Sequence, residues 1–384
     1  METTNISNDP YKDIRPLNES EIPEAFAQLL QDETLRSLIP VMLPGYTVKD
    51  LEMLQPQIRT IYDFKKHISL PVVSEISKKS CFSISSSGMS KIENDKAYTF
   101  ITNHRDIVLD ASFLSVLLFQ NGKLFPQIAI GDNLLIKEWI RQLVRINNSF
   151  IVKRAVSVRE MLTESKKLSS YIRHTITDTD ESVWIAQREG RAKDSNDRTQ
   201  TAMLKMLAMS SDKEPDTALQ ELRIVPVSLS YEYDPCDYLK AQEMLQKKLD
   251  PEHKKSQMDD LKNMQQGIVG KKGRVHLSIC EPMGDFTTGL PAKEALQAWA
   301  EEIDRRIHKK YRLYEINYIA YDLLHGTKKY LGSMYGEKDL AEIEQYFAEQ
   351  IGKIEIPGDA KDETFLRERI LEMYANPLIN NLNA

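Results

Sequence analysis

The segment Thr102-Asn103-His104-Arg105-Asp106-Ile107-Val108-Leu109-Asp110 sets one histidine and two acids within seven residues. It directly follows the apolar, β-prone run Tyr98-Thr99-Phe100-Ile101. A strand that ends in a short polar loop can hold a histidine at its tip and an aspartate behind it. That is the minimum for a general base with an orienting carboxylate, and it suits removal of a proton from an alcohol during acyl transfer to a hydroxyl. Strands also end in Asn, His or Asp for turn reasons alone, so the segment needs company.

Three later segments supply it. Ser149-Phe150-Ile151-Val152 runs into the adjacent cations Lys153 and Arg154. Val183-Trp184-Ile185-Ala186 runs into Gln187-Arg188-Glu189-Gly190-Arg191-Ala192-Lys193-Asp194. Arg223-Ile224-Val225-Pro226-Val227-Ser228-Leu229 reads as a buried strand with a proline inside, which taken singly would mark an edge. If these strands are parallel, one base and up to five cations reach the same sheet edge. Guanidinium and ammonium groups around a base suit an alcohol that carries an anion, because guanidinium binds phosphate in a forked geometry. Gly190 would let backbone approach the ligand closely.

The elements that must position these residues are legible as alternation. Short β-branched runs at 80–85, 97–102, 125–130, 149–153, 182–187, 223–230 and 274–280 predict strands. Longer stretches at 109–120, 132–146, 156–173, 198–209, 239–265 and 292–311 predict helices. The expected fold class is α/β, with a mixed, mostly parallel sheet flanked by helices and with helical N- and C-terminal extensions. The expected divisions are a disordered tail over 1–19, an N-terminal helical region over 20–67, the α/β domain over 68–311 and a C-terminal helical extension over 312–384. The apolar stretch Leu35–Leu43 reads as a core corner, with a membrane contact as the alternative.

Composition narrows the class. The 384 residues are 41% hydrophobic and 28% charged, as in a globular chain. A net charge of -6 argues against nucleic acid as a partner. Lysines nevertheless cluster at 65–66, 78–79 and 254–272, which suits local contact with anionic lipid headgroups or phosphates. Cys81, Cys236 and Cys280 are far apart, so free thiols in a reducing compartment are expected. The first 18 residues lack the apolar centre of a secretory signal, and no apolar run approaches a membrane span. The histidines have no metal-ligand spacing, so no metal is expected.

Four ordered blocks make the chain resemble the glycerolipid acyltransferase superfamily, which includes glycerol-3-phosphate and 1-acylglycerol-3-phosphate acyltransferases. They are Asn103-His104…Asp110, Phe150-Ile151-Val152-Lys153-Arg154, Glu189-Gly190-Arg191 and Val225-Pro226-Val227. Tyr238 to Gln265 is similar to the lysine-rich helical insertion of the glycerol-3-phosphate branch, and the strand ending Cys280-Glu281-Pro282-Met283 to its closing segment. The likeness spans about residues 70–310. Two departures stand out. Against the pattern Asn-His-x-x-x-x-Asp, five residues separate His104 from Asp110, and Asp106 lies too close to support the ring from behind. Asp110 is therefore favoured as the partner, with Asp106 as a helix cap. Ala192 stands where the Glu-Gly block usually has arginine.

The resemblance implies direct acyl transfer from a thioester donor, acyl-ACP or acyl-CoA, with no other cofactor. It implies His104 as base and Asp110 as its support, with backbone N–H groups near Gly190 holding the oxyanion. Asn103, Arg105, Lys153, Arg154, Arg188, Glu189, Gly190, Arg191 and Lys193 are the expected substrate-binding residues. The partners implied are a lipid acceptor, the acyl thioester, acyl carrier protein and the membrane surface, at a cytoplasmic site on the inner face of the membrane. The N-terminal helices and Leu35–Leu43 are the candidate acyl-chain path. Acylation of a lyso-amino-acid lipid, a non-catalytic lipid or carrier-protein binding module, and a thioesterase-like hydrolase remain as alternatives.

Overall fold

A computed structural model describes residues 9–43, 45–154, 157–356 and 360–384. Its centre is a seven-stranded sheet of β1 (Cys81–Ser87), β2 (Thr99–Thr102), β3 (Gln127–Gly131), β4 (Ser149–Val152), β5 (Val183–Ala186), β6 (Ile224–Tyr231) and β7 (Gly273–Ile279), in the order β1-β7-β6-β2-β5-β3-β4. Every neighbouring pair is parallel except β6 and β7. The fold class is therefore α/β with a mixed, mostly parallel sheet, as expected.

Strand alternation separates two cores. Phe100, Trp184, Val225, Val227 and Leu229 face one layer, shared with the N-terminal helices and the helix Leu109–Gln120. Ile101, Ile151, Val183, Ile185 and Ile224 face the other, beneath the helices Val158–Thr177, Thr201–Ala208 and Ala292–Lys310. Period-two alternation with both faces covered is what a buried parallel sheet requires. A third core joins the helices Glu315–His325, Glu337–Gly352 and Glu363–Asn383 to the helix Asp237–Leu249.

Several elements differ from the sequence reading. Pro226 lies in the central strand β6, not at an edge. Its carbonyl accepts from Cys280 N, just past the last β6–β7 ladder pair, Val227 with Ile279. Its missing donor thus faces chain that has already left the ladder, where a proline is tolerated. The single helix predicted over 239–265 is two, Asp237–Leu249 and Gln257–Val269. Pro251 breaks the run and Ser256 caps the second helix. The boundary predicted at 67/68 falls inside helical chain running from Ile61 to Ser80. The described part of the expected tail is packed, with Ile14 and Leu17 buried and Ile14 O accepting from Ile151 N. Residues 1–8 of that expectation lie outside the described residues. Leu35 and Ile39 are buried in the first core, which supports the corner reading of Leu35–Leu43 over these two residues. No helix among the described residues is long and apolar enough to cross a membrane.

Candidate active site

The C-terminal ends of β2, β4 and β5 open on one side of the sheet, where loops of an α/β domain carry chemistry. There His104 Nδ1 lies 2.7 Å from Asp110 Oδ2. Asp110 sits in the first turn of the helix Leu109–Gln120 and is buried. The same oxygen accepts from the backbone N–H of Arg105 at 2.6 Å and of Asp106 at 3.1 Å, and Oδ1 accepts from the Tyr231 hydroxyl at 2.9 Å. Four donors thus hold one carboxylate in place. With Nδ1 on Asp110, the other ring nitrogen, Nε2, is the one left for a ligand. The ring packs edge-on against Trp184, whose indole N–H donates to Thr102 Oγ1.

Asp106 is a cap, as the sequence suggested. Its Oδ1 accepts from Val108 N and Leu109 N, both at 2.8 Å. Burial and the nearby negative charge of Asp110 push its carboxyl above the usual range. Asn103 and Arg105, expected to bind substrate, are committed to the protein instead. The Asn103 amide pairs with both the N–H and the carbonyl of Leu229, tying the loop to β6. Arg105 is buried and forks onto Asp197 at 2.8 and 2.5 Å, tying it to the loop after β5. The sequence does not reveal these structural roles, because a polar residue beside a reactive histidine looks like a ligand until its partners are known.

His104 lines a cavity of about 910 Å3 that also takes in Lys153, Arg154, Arg188, Glu189, Gly190, Arg191 and Lys193. Seven of the nine expected binding residues are therefore brought together, although not equally free. Lys153 is paired with Asp13 at 2.6 Å and Glu164 at 3.2 Å. Lys193 is paired with Glu243. Arg154 approaches Glu189 only to 3.6 Å. Among the described residues, the Arg188 side chain makes one hydrogen bond, from Nε to the Glu189 carbonyl at 3.5 Å. Arg191 donates to Asn263 through one nitrogen, while its buried Nη1 has no hydrogen-bond partner among the described residues. Burial works against the Arg191 charge, yet Cys236, Asp234 and Asp106 around it outweigh that and hold it above the ordinary arginine range. Gly190 adopts φ +68°, which favours glycine, with open space beside it. The Glu189 N–H is already given to Gln200 Oε1, so it is not among the available oxyanion donors.

One wall of the cavity is apolar, formed by Ile130, Leu134, Met161, Leu168, Met203 and Met206. Among the described residues none of the N-terminal helices lines it, so the acyl path expected along Leu35–Leu43 is not where this cavity runs. The sequence reading missed that wall, and it missed Tyr231 and Lys240. Lys240 is bound to Asp234 and reaches the Arg105 carbonyl at 3.4 Å, bracing the histidine loop from below. Among the described residues no cluster of His, Cys, Asp or Glu has the arrangement of a metal site.

No protein-family model and no curated protein matches this chain. Among solved structures, the crystal structure of the 1-acyl-sn-glycerophosphate (LPA) acyltransferase PlsC from Thermotoga maritima aligns over 73% of this chain and 90% of that one, at 14% identity and a TM-score of 0.37. The site's own geometry, not that likeness, carries the functional reading.

Proposed function

We propose that this protein is an O-acyltransferase of membrane lipid synthesis. It moves a fatty acyl group from a thioester, acyl-ACP or acyl-CoA, to a hydroxyl of glycerol-3-phosphate or 1-acylglycerol-3-phosphate. The observation that supports this best is the His104–Asp110 pair opening into one cavity that holds both under-committed guanidiniums and an apolar wall. A base, an anion clamp and a hydrocarbon surface are the three things this reaction needs.

The Asp110 carboxylate fixes the tautomer with the proton on Nδ1 and offsets the charge the ring acquires. Nε2 takes the proton of the acceptor hydroxyl as its oxygen bonds to the thioester carbonyl carbon. The tetrahedral intermediate collapses with cleavage of the C–S bond, and the imidazolium returns the proton to the departing thiolate. Arg188 and Arg191 hold the acceptor's anion, with Arg154 beside them. Encounter with a lipid acceptor takes place at the bilayer surface. A lyso-amino-acid lipid is the second reading, because guanidinium forks onto carboxylate as readily as onto phosphate. Ala192, buried where arginine is usual, removes one phosphate ligand from the site.

The test is a radiolabelled acyl-transfer assay with both thioester types. Glycerol-3-phosphate, lysophosphatidate and a lyso-amino-acid lipid serve as acceptors. Transfer is expected to fall about 1,000-fold in His104→Ala and strongly in Asp110→Asn, while Asp106→Asn retains it. Thioester cleavage without transfer would replace the reading with a hydrolase. Wild-type protein that binds donor and acceptor but never turns over would replace it with a binding module.

A further inference from the structure

The helix Asp237–Leu249 presents Lys240, Glu243, Met244 and Lys247 along one face, all lining the cavity. That spacing of three, four and seven residues is one helical stripe. At its inner end Lys240 touches the histidine loop through the Arg105 carbonyl. Lys247 lies two turns further out, about 10 Å along the axis. At this outer end Glu243, itself buried, is shared by three ammonium groups. Lys193 pairs with it closely, Lys247 lies 3.4 Å from Oε1, and Lys255 lies 3.3 Å from Oε2. Lys255 is also 3.5 Å from Asp260. Three positive charges against two negative ones leave a cationic excess at the mouth.

One carboxylate cannot satisfy three ammonium groups, each of which has three donors. Burial, and then the like charges of Lys247 and Lys255, hold the Lys193 ammonium below the ordinary lysine range despite Glu243 beside it. An incoming anion at this point would relieve that repulsion. The guanidiniums of Arg188 and Arg191 line the same cavity but are not among the groups gathered on Glu243, so the lysine trio offers an anion a second set of donors.

Resting on the acyltransferase reading, we propose that Lys247 and Lys255, with Lys193, form a phosphate-binding station for the thioester donor. The phosphate is the one joined to the pantetheine arm that coenzyme A and acyl carrier protein share. The arm would run from this station along the helix stripe to a thioester at His104. The acceptor's anion would occupy the guanidinium station. A lipid headgroup phosphate offers the same chemistry, and the experiment separates the two sources.

Two variants, Lys247→Ala and Lys255→Ala, are made singly and together in the full chain. Equilibrium binding of 4′-phosphopantetheine is measured first, since it needs no turnover. It is expected to weaken about tenfold or more in the double variant. The ratio of kcat/KM for a dodecanoyl thioester of coenzyme A to that for the phosphate-free dodecanoyl pantetheine should then fall by a similar factor. A general folding defect lowers both values and spares the ratio. Unchanged phosphopantetheine binding would overturn the station, and so would an unchanged ratio. Loss of binding to phosphatidylglycerol vesicles, with phosphopantetheine binding intact, would overturn the donor assignment in favour of a headgroup. If phosphopantetheine binds through the lysines but no acceptor is acylated, the station stands and the acyltransferase reading falls.

Discussion

His104 and Asp110 lie on one short piece of chain, but the carboxylate they depend on is held by a residue from far along it. The Tyr231 hydroxyl, at the end of β6, donates to Asp110 Oδ1 at 2.9 Å. Burial, followed by the charges of Asp110 and Asp106, drives the Tyr231 phenol well above its ordinary range, so it stays protonated and a donor. Removing that donor frees Asp110 to rotate and weakens its grip on the imidazole. Tyr231→Phe is expected to lower kcat roughly tenfold, the scale of one hydrogen bond to a charged group, with acceptor KM little changed. Steady-state kinetics beside a thermal melt checks this. A loss seen in KM alone would assign Tyr231 to substrate binding instead.

The elements are braced against one another around the loops. Asn103 ties the histidine loop to β6, and Arg105 ties it to the loop after β5. The helix Gln257–Val269 closes over the same region. A Cβ added at Gly267 in that helix would overlap Asp106 Oδ2, a buried oxygen. Gly267→Ala must therefore displace either the Asp106 carboxylate, which holds the start of the helix Leu109–Gln120, or the glycine's own helix. Overpacking of this kind costs about 1–3 kcal/mol, and chemical denaturation should show the loss. Mid-helix alanine normally stabilises relative to glycine, so an increase in stability would overturn the contact.

At the scale of the whole molecule, the C-terminal helices are structural support for the site. The Asn376 amide donates to the Asp194 carbonyl in the loop after β5 at 2.7 Å. Tyr346 and Tyr374 each donate to Asp237 Oδ2 at 2.7 Å, where the helix bearing the cavity stripe begins. Burial pushes the Asp237 carboxyl from 3.8 up to about 6, the two hydroxyls offsetting part of that rise. The folded protein thus holds this proton more tightly than the unfolded chain. Its contribution to stability is fully present below pH 4 and is lost as pH rises through about 6. In Asp237→Asn the fall in unfolding free energy between pH 4 and pH 7 should shrink by up to about 3 kcal/mol. Urea titrations at the two pH values decide it, and an identical fall in the variant would exclude Asp237 as the source.

All seven strands were legible in the sequence, because β-branched runs bounded by polar turns follow from local chain chemistry. So was the pairing of His104 with Asp110 across one extra residue, since His104 lies in a loop and Asp110 in the first turn of the helix that loop opens. Local order also placed Lys153, Arg154 and the Glu189–Lys193 loop at strand ends that a parallel sheet must bring together. Only the tertiary structure decided which of these polar groups are free. Asn103 and Arg105 turned inward because Leu229 and Asp197, distant in sequence, offered them better partners than water. Lys193 was taken up by Glu243, and Tyr231 and Lys240 were brought in from β6 and the helix after it. A sequence states what each side chain can bond to, but which bond it makes is set by the competition among all the groups that folding brings within reach.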